Sequence, residues 1–416
     1  CRSIAGSTPG WFYSSPDWNL AVSYRPARSR RIATAHEFKP LIAFGPRVRK
    51  SPFFEATRRY GVKSFTIYNH MYMPTGYSTP EDEYWSLVND VTVWDVACER
   101  QIEIRGPDAA RFVQYLTPRN LSRLPVGRCL YVVLCGKDGG IINDAVLLRL
   151  GESHFWLSPG DGDVLLWAQG AAVHSGMRVT IEEPDVSPLQ LQGPKSPEVA
   201  KALFGDWAVD LAYYELRETQ LDDIPVVLAR TGWSGEIGYE IYLRDGRRGD
   251  ELWERVMEAG KPFKIAPAPP STIRSVEGGI YSYASDITRA DDPFTVGLDR
   301  LVDLDQEADF IGKEALERIR REGVKRRLVG LEIAGAPFEA GNPQFWSVRC
   351  GDRVVGRVTR CIYSPALAKN IGFANVSVEC AAVGTELGID APGGLRAARV
   401  AALPFIESKK KIAPSR

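Results

Sequence analysis

The sequence has little that would hold a metal, cross a bilayer or attract a polyanion. Its four histidines, His36, His70, His154 and His174, never fall at the HxxxH or HxH spacing that brings two imidazoles to one ion, so metal-free chemistry is expected. The seven cysteines (Cys1, Cys98, Cys129, Cys135, Cys350, Cys361 and Cys380) are odd in number and include no CxxC pair. In a chain too large to need covalent staples they read as reduced thiols of a soluble, cytoplasmic protein. No apolar run approaches the roughly 18–20 residues that span a bilayer, and the most apolar pieces, such as Ala145 to Leu150, are strand-length. Lysine plus arginine balances aspartate plus glutamate at 52 each, so no overall charge recruits nucleic acid or anionic lipid.

What the sequence does have is apolar material for more than one core. Its 416 residues with 44% hydrophobic content exceed the roughly 250–300 residues at which single cores stop growing. Residues 1–50 are basic, rich in serine and proline and without helical period, and read as a poorly structured tail. Whether that tail is a processed end, a transit-type segment or an extended reading is left open by its residues. From Ser51 onward, helix-like pieces (Glu81 to Asn89, Pro107 to Leu116, Asp250 to Ala259, Gly312 to Arg321) alternate with many short strand-like ones, which gives an α+β class. The turn Lys137-Asp-Gly-Gly140 between Tyr131–Leu134 and Ala145–Leu150 predicts a β-hairpin. After about residue 326, Leu328–Ile333, Val354–Thr359 and Ile371–Val376 have little helical pattern between them and predict a separate all-β domain.

Three places suggest chemistry. Asp144 follows the hairpin, where an Asn-Asp pair reads as turn chemistry or as a carboxylate at the mouth of a strand. Glu240 and Tyr242, two apart in Gly-Tyr-Glu-Ile-Tyr, share one strand face, which is either a solvent face or a binding face. Trp233 lies in Thr-Gly-Trp-Ser-Gly, where glycines let the backbone present a ring to a cavity; a core tryptophan is the alternative.

A resemblance decides among these. Gly106–Phe112, Gly139–Asp144, Gly193–Lys195, Arg230–Ile241, Asp309–Leu316, Tyr363–Pro365 and Asn370–Gly372 resemble the motifs of the glycine-cleavage T-protein (aminomethyltransferase) family, in the family's order, over about residues 50–405. Val93–Gln101, Thr117–Ser122 and Pro184–Pro188 are most similar to its dimethylsulfoniopropionate demethylase branch. The resemblance implies a three-domain cloverleaf with a C-terminal, barrel-like β domain. Its expected divisions are 51–95 with 183–285 (folate-binding), 96–182 with 286–325, and 326–405, followed by a tail at 406–416. It implies tetrahydrofolate as methyl acceptor, Asp144 as the catalytic, folate-facing carboxylate, and Glu240, Tyr242 and Arg274 as folate contacts. T-proteins carry an Ala-Arg-Asp ahead of a Leu-Arg-Leu-Glu helix; in Pro270–Glu277 the first arginine is missing and the second is displaced to Arg274. For a sulfonium donor, which has no N–H or O–H, aromatic faces are the expected recognition, and Tyr131, Trp233 and Tyr242 are the expected box. The partner is then a small-molecule methyl donor. A lipoylated carrier protein belongs to the alternative reading, an aminomethyltransferase; other folate-dependent N- or O-demethylases and a non-catalytic folate-binding protein are further alternatives.

Overall fold

A computed structural model describes residues 44–411. The expected tails therefore lie outside the described residues at 1–43 and 412–416. Their inner ends are not loose: Phe44 packs edge-on against Phe54, Phe65 and Tyr72, and Ile406 N–H donates to Glu277 O at 2.9 Å. Both segments follow the globular surface because apolar rings and paired backbone groups hold them there. Among the described residues no helix is long and apolar enough to cross a membrane, and the six cysteines are unpaired.

Three large sheets, beside the two-stranded hairpin of Ser64–Tyr68 and Met71–Gly76, organise the described residues. The first runs in the order Leu216–Leu221, Ile224–Ala229, Gly238–Leu243, Ser187–Gln192, Val91–Asp95, Ile265–Pro267, antiparallel except for the last pair. Its central strands are buried along their whole length, and period-two alternation sorts their side chains. Leu189, Leu191, Tyr239 and Ile241 enter a core with Trp253 of helix Gly249–Gly260, while Gln190 and Glu240, directly opposite one another, face the other way. The second sheet runs Arg128–Cys135, Ile141–Gly151, His154–Pro159, Ile102–Arg105, Thr180–Glu182, all antiparallel. Its first two strands are the hairpin expected from the turn at 137–140. Helix Ala109–Leu116 covers it with Phe112, Val113 and Leu116.

The C-terminal strands close into a six-stranded barrel in the order Arg326–Ile333, Lys369–Ser377, Arg353–Ser364, Trp346–Cys350, Glu386–Ala391, Gly394–Ala401. Three of these match the strand-like segments of the sequence. The other three were not foreseen; Trp346–Cys350 and Gly394–Ala401 carry charged residues in their interiors because alternate positions of a small barrel face solvent. The barrel is tight: a Cβ built on Gly356 would lie 2.1 Å from Asn375 O of the neighbouring strand. Closure leaves neither strand free to retreat, so Gly356→Ala is expected to destabilise the protein by about 1–3 kcal/mol, measured as a lower urea midpoint at unchanged slope.

Candidate active site

A cavity of about 760 Å³ opens where the two open sheets, the segment 270–300 and the C-terminal segment converge. Tyr131 and Asp144 enter it from the hairpin of the second sheet. Val133 pairs with Asp144 and Tyr131 with Val146, so Tyr131 and Asp144 are diagonal neighbours on one face, and Tyr131 donates its hydroxyl to Asp144 Oδ2 at 2.7 Å. The other carboxylate oxygen, Oδ1, is buried and has no hydrogen-bond partner among the described residues. Burial pushes the Asp144 carboxyl up to about 6 despite the Tyr131 hydrogen bond, which lowers it. The same burial, with the Asp144 charge beside it, raises the Tyr131 phenol well above its ordinary value.

Glu240 lines the cavity from the first sheet. Gln190 Nε2 donates to its Oε1 at 2.5 Å, while the Thr231 hydroxyl and, at 2.8 Å, the Tyr242 hydroxyl donate to its Oε2. Both Glu240 and its partner Gln190 line the cavity, and Gln190 Oε1 is buried without a partner. Tyr242 does not reach the cavity. Its ring is fully buried against Trp156, with centroids 6.0 Å apart, so it holds Glu240 from behind.

Trp233 is half-buried in the lining, its Nε1–H donating to Tyr281 O at 3.3 Å. The aromatic lining is richer than Tyr131 and Trp233 alone, with Tyr68, Tyr213, Tyr214 and Tyr281 in the same wall. Sequence reasoning missed these because they come from three separate segments, Tyr68, the pair Tyr213-Tyr214, and Tyr281, with no shared motif.

Arg274 departs most from expectation. It lies in helix Thr272–Glu277 with 1% of its side chain exposed, its Nε donating to Glu236 Oε1 at 2.8 Å and its Nη1 3.8 Å from Glu277. It is not part of the cavity wall. The reason is charge: a buried guanidinium takes the nearest buried carboxylates. The cations that do line the cavity are Arg300, Arg360 and Lys410. Arg360 is committed to Asp286, Ser275 Oγ and Ile280 O. Among the described residues the side chains of Arg300 and Lys410 make no hydrogen bond or ion pair. Burial depresses the Lys410 ammonium to about 8, against the attraction of Glu240. In sequence, Lys409 to Lys411 reads as a charged tail; only the fold brings Lys410 inward.

Among the described residues, no three His, Cys, Asp or Glu side chains gather as a metal ion would require. The geometry suits an organic ligand of folate size. A flat, nitrogen-rich ring can lie among tyrosines while Asp144 Oδ1 and Gln190 Oε1, both lacking partners, accept from its N–H groups.

Removing Arg274 tests its structural role. Arg274→Ala leaves Glu277 buried without its cation and Glu236 with Lys409 alone, and is expected to cost about 3–5 kcal/mol, read from urea denaturation. A folate-contact role would instead weaken ligand binding with little change in the melt.

The comparisons agree with this architecture. Residues 53–306 match the model of the GCVT N-terminal domain, and 326–407 that of the glycine cleavage T-protein C-terminal barrel domain. Dimethylsulfoniopropionate demethylase of Ruegeria pomeroyi is 36% identical over 350 residues, covering 84% of this chain and 95% of the relative. Aminomethyltransferase of Alkaliphilus oremlandii is 32% identical over 351 residues, covering 82% and 93%. In fold, the glycine cleavage system aminomethyltransferase T from Bartonella henselae superposes with a TM-score of 0.79 at 24% identity over 87% of this chain and 99% of that one. The chain belongs to the glycine cleavage T-protein family of methyl- and aminomethyl-transferring enzymes.

Proposed function

We propose that this enzyme moves a methyl group from dimethylsulfoniopropionate to N5 of tetrahydrofolate, giving methylmercaptopropionate and 5-methyltetrahydrofolate. The observation that carries the reading is the cavity itself: tyrosines and Trp233 around carboxylates, with Arg300 and Lys410 uncommitted. Aromatic faces attract a sulfonium by about 0.5–2 kcal/mol each, and the two unpaired cations suit carboxylates that donor and folate both carry. The identity to the Ruegeria demethylase supports the choice of donor.

The folate supplies the nucleophile, the lone pair of N5. The chain's residues do the rest. Glu240, held by three donors, presents a fixed acceptor edge, and Tyr131 fixes the orientation of Asp144. The S–CH₃ bond breaks with its electron pair left on sulfur, a good leaving group, so little acid catalysis is needed and alignment dominates, a contribution of up to roughly 7–11 kcal/mol. The proton that N5 loses is taken by Asp144, the cavity carboxylate that Tyr131 orients and whose Oδ1 has no partner among the described residues.

The deciding experiment offers tetrahydrofolate with dimethylsulfoniopropionate, dimethylglycine or a methoxy-aromatic and follows 5-methyltetrahydrofolate by mass. Product from the sulfonium alone is expected. Transfer that requires a lipoylated carrier protein and an aminomethyl donor would favour the aminomethyltransferase reading instead.

Two variants test the residues. Because Asp144 acts as a carboxylate and its group sits at about 6, kcat/KM for tetrahydrofolate at saturating donor should fall as pH drops through that value, approaching tenfold per pH unit for one proton. Asp144→Asn should abolish this acidic limb and lower turnover more than folate affinity; an unchanged profile removes Asp144 from the chemistry. Trp233→Leu keeps apolar volume but removes a π face, so sulfonium affinity should fall roughly 2- to 30-fold with folate affinity little changed. Calorimetry with each ligand separates this from a general loss of cavity shape.

A further inference from the structure

Glu99 is a cavity-lining carboxylate that none of the roles above uses. It ends the short turn Ala97–Glu99, which follows the buried strand Val91–Asp95. Its hydrogen bond comes from Ser158 Oγ, which donates to Oε2 at 2.6 Å. Ser158 Oγ in turn accepts from Gln101 Nε2 at 2.9 Å, so the hydroxyl proton is directed at Glu99. No cation pairs with it among the described residues. Arg100, its chain neighbour, turns away to Glu183 at 2.5 Å. Glu240 approaches from the strand Gly238–Leu243, Tyr242 lies behind Glu240, and Tyr68 and Asp161 border the same space. The charge that acts on Glu99 is that of Glu240, and it is negative; the cavity's cations, Arg300, Arg360 and Lys410, form no ion pair with Glu99.

We propose that Glu99 is the counter-charge for the methyl donor, so that the cavity selects a methylated cation over a neutral methyl compound. The inference rests on the donor reading above, in that the cation is a sulfonium there, but its logic extends to any methylated onium. A half-buried carboxylate with one hydrogen-bond donor, a negative neighbour and no cation is costly to ionise. Burial, reinforced by the Glu240 charge and partly offset by Ser158, pushes the Glu99 carboxyl up to about 8. In the ligand-free cavity it therefore holds a proton at neutral pH. A cation placed against it favours the charged form and expels that proton. The sign follows: donor binding strengthens as pH rises toward 8, and binding at pH 7 releases a proton. Lys410 acts in the opposite direction, since a ligand carboxylate beside its ammonium, depressed to about 8, favours proton uptake.

The thioether methylmercaptopropionate separates the two groups, because it has the donor's carboxylate but not its charge. Calorimetry of the full chain without folate, at pH 6 to 9 and in buffers of different ionisation enthalpy, should find dimethylsulfoniopropionate binding up to tenfold tighter per pH unit below 8 relative to the thioether, with proton release seen for the sulfonium alone. Glu99→Gln should bind the sulfonium with no such pH dependence and, at pH 9, at least tenfold more weakly than the wild type, while thioether affinity is unchanged. The wild-type proton release stands as a test even if the variant does not fold. Equal pH dependence for sulfonium and thioether, an unaltered sulfonium profile in Glu99→Gln, or no binding of any onium would overturn the proposal. Should the sulfonium fail to bind but a quaternary ammonium such as trimethylglycine bind with the Glu99-dependent profile, the counter-charge role stands and the choice of donor falls.

Discussion

The cavity depends on a buried ionic knot centred on the short helix Thr272–Glu277. Arg274 binds Glu236 of the loop entering the first sheet, and Glu277 accepts from Ser364 Oγ of the barrel at 2.5 Å and from the Tyr84 hydroxyl at 3.1 Å. The barrel answers through Arg360, which reaches Asp286, Ser275 and Ile280 beside the same helix. Such a knot adds little net stability, because desolvating its charges offsets their attraction. Its contribution is to position: three walls that share no sheet are tied by directional contacts, and a packing fault at any one of them leaves a charge without its partner. The C-terminal segment uses the same anchor, with Arg274 donating to Glu407 O and Lys409 lying 3.1 Å from Glu236. That brings Lys410 to the cavity.

Local features of this fold were legible and distant ones were not. The hairpin that carries Tyr131 and Asp144 is written in Asp138-Gly-Gly between apolar runs, because the turn needs residues that tolerate left-handed backbone; Gly139 has φ of 86°. Helix Lys313–Glu322 follows from its apolar period and the glycines at both ends. The shared face of Glu240 and Tyr242 follows from strand alternation, and the hydrogen bond between them fits it. What alternation cannot say is which side of the pair meets the cavity: Tyr242 lies behind, against Trp156, because the second sheet packs there. Arg274 was misread for a related reason. Its partner Glu236 is 38 residues away, and nothing within one helix announces a buried acid arriving from elsewhere. Lys410 and Glu99 share that blindness, since burial, not residue type, gives each its altered proton affinity.

The carboxylates of the cavity differ by what holds them. Glu240 has three donors, Asp144 has one tyrosine and a bare oxygen, and Glu99 has one serine and a negative neighbour. Hydrogen-bond supply thus divides like groups among unlike tasks. A fully supplied carboxylate is a rigid acceptor, suited to recognition. One held near 6 by burial is ionised at neutral pH yet still basic enough to accept a proton. One held near 8 waits in its neutral form until a cation arrives. Methyl transfer from an onium to an amine begins with positive charge on the donor and ends with a proton to be removed from the acceptor. Under the proposed reaction, a site with one carboxylate for the arriving charge and another for the departing proton follows the charge from donor to acceptor, and what separates the two groups is the different desolvation and hydrogen-bond supply of each.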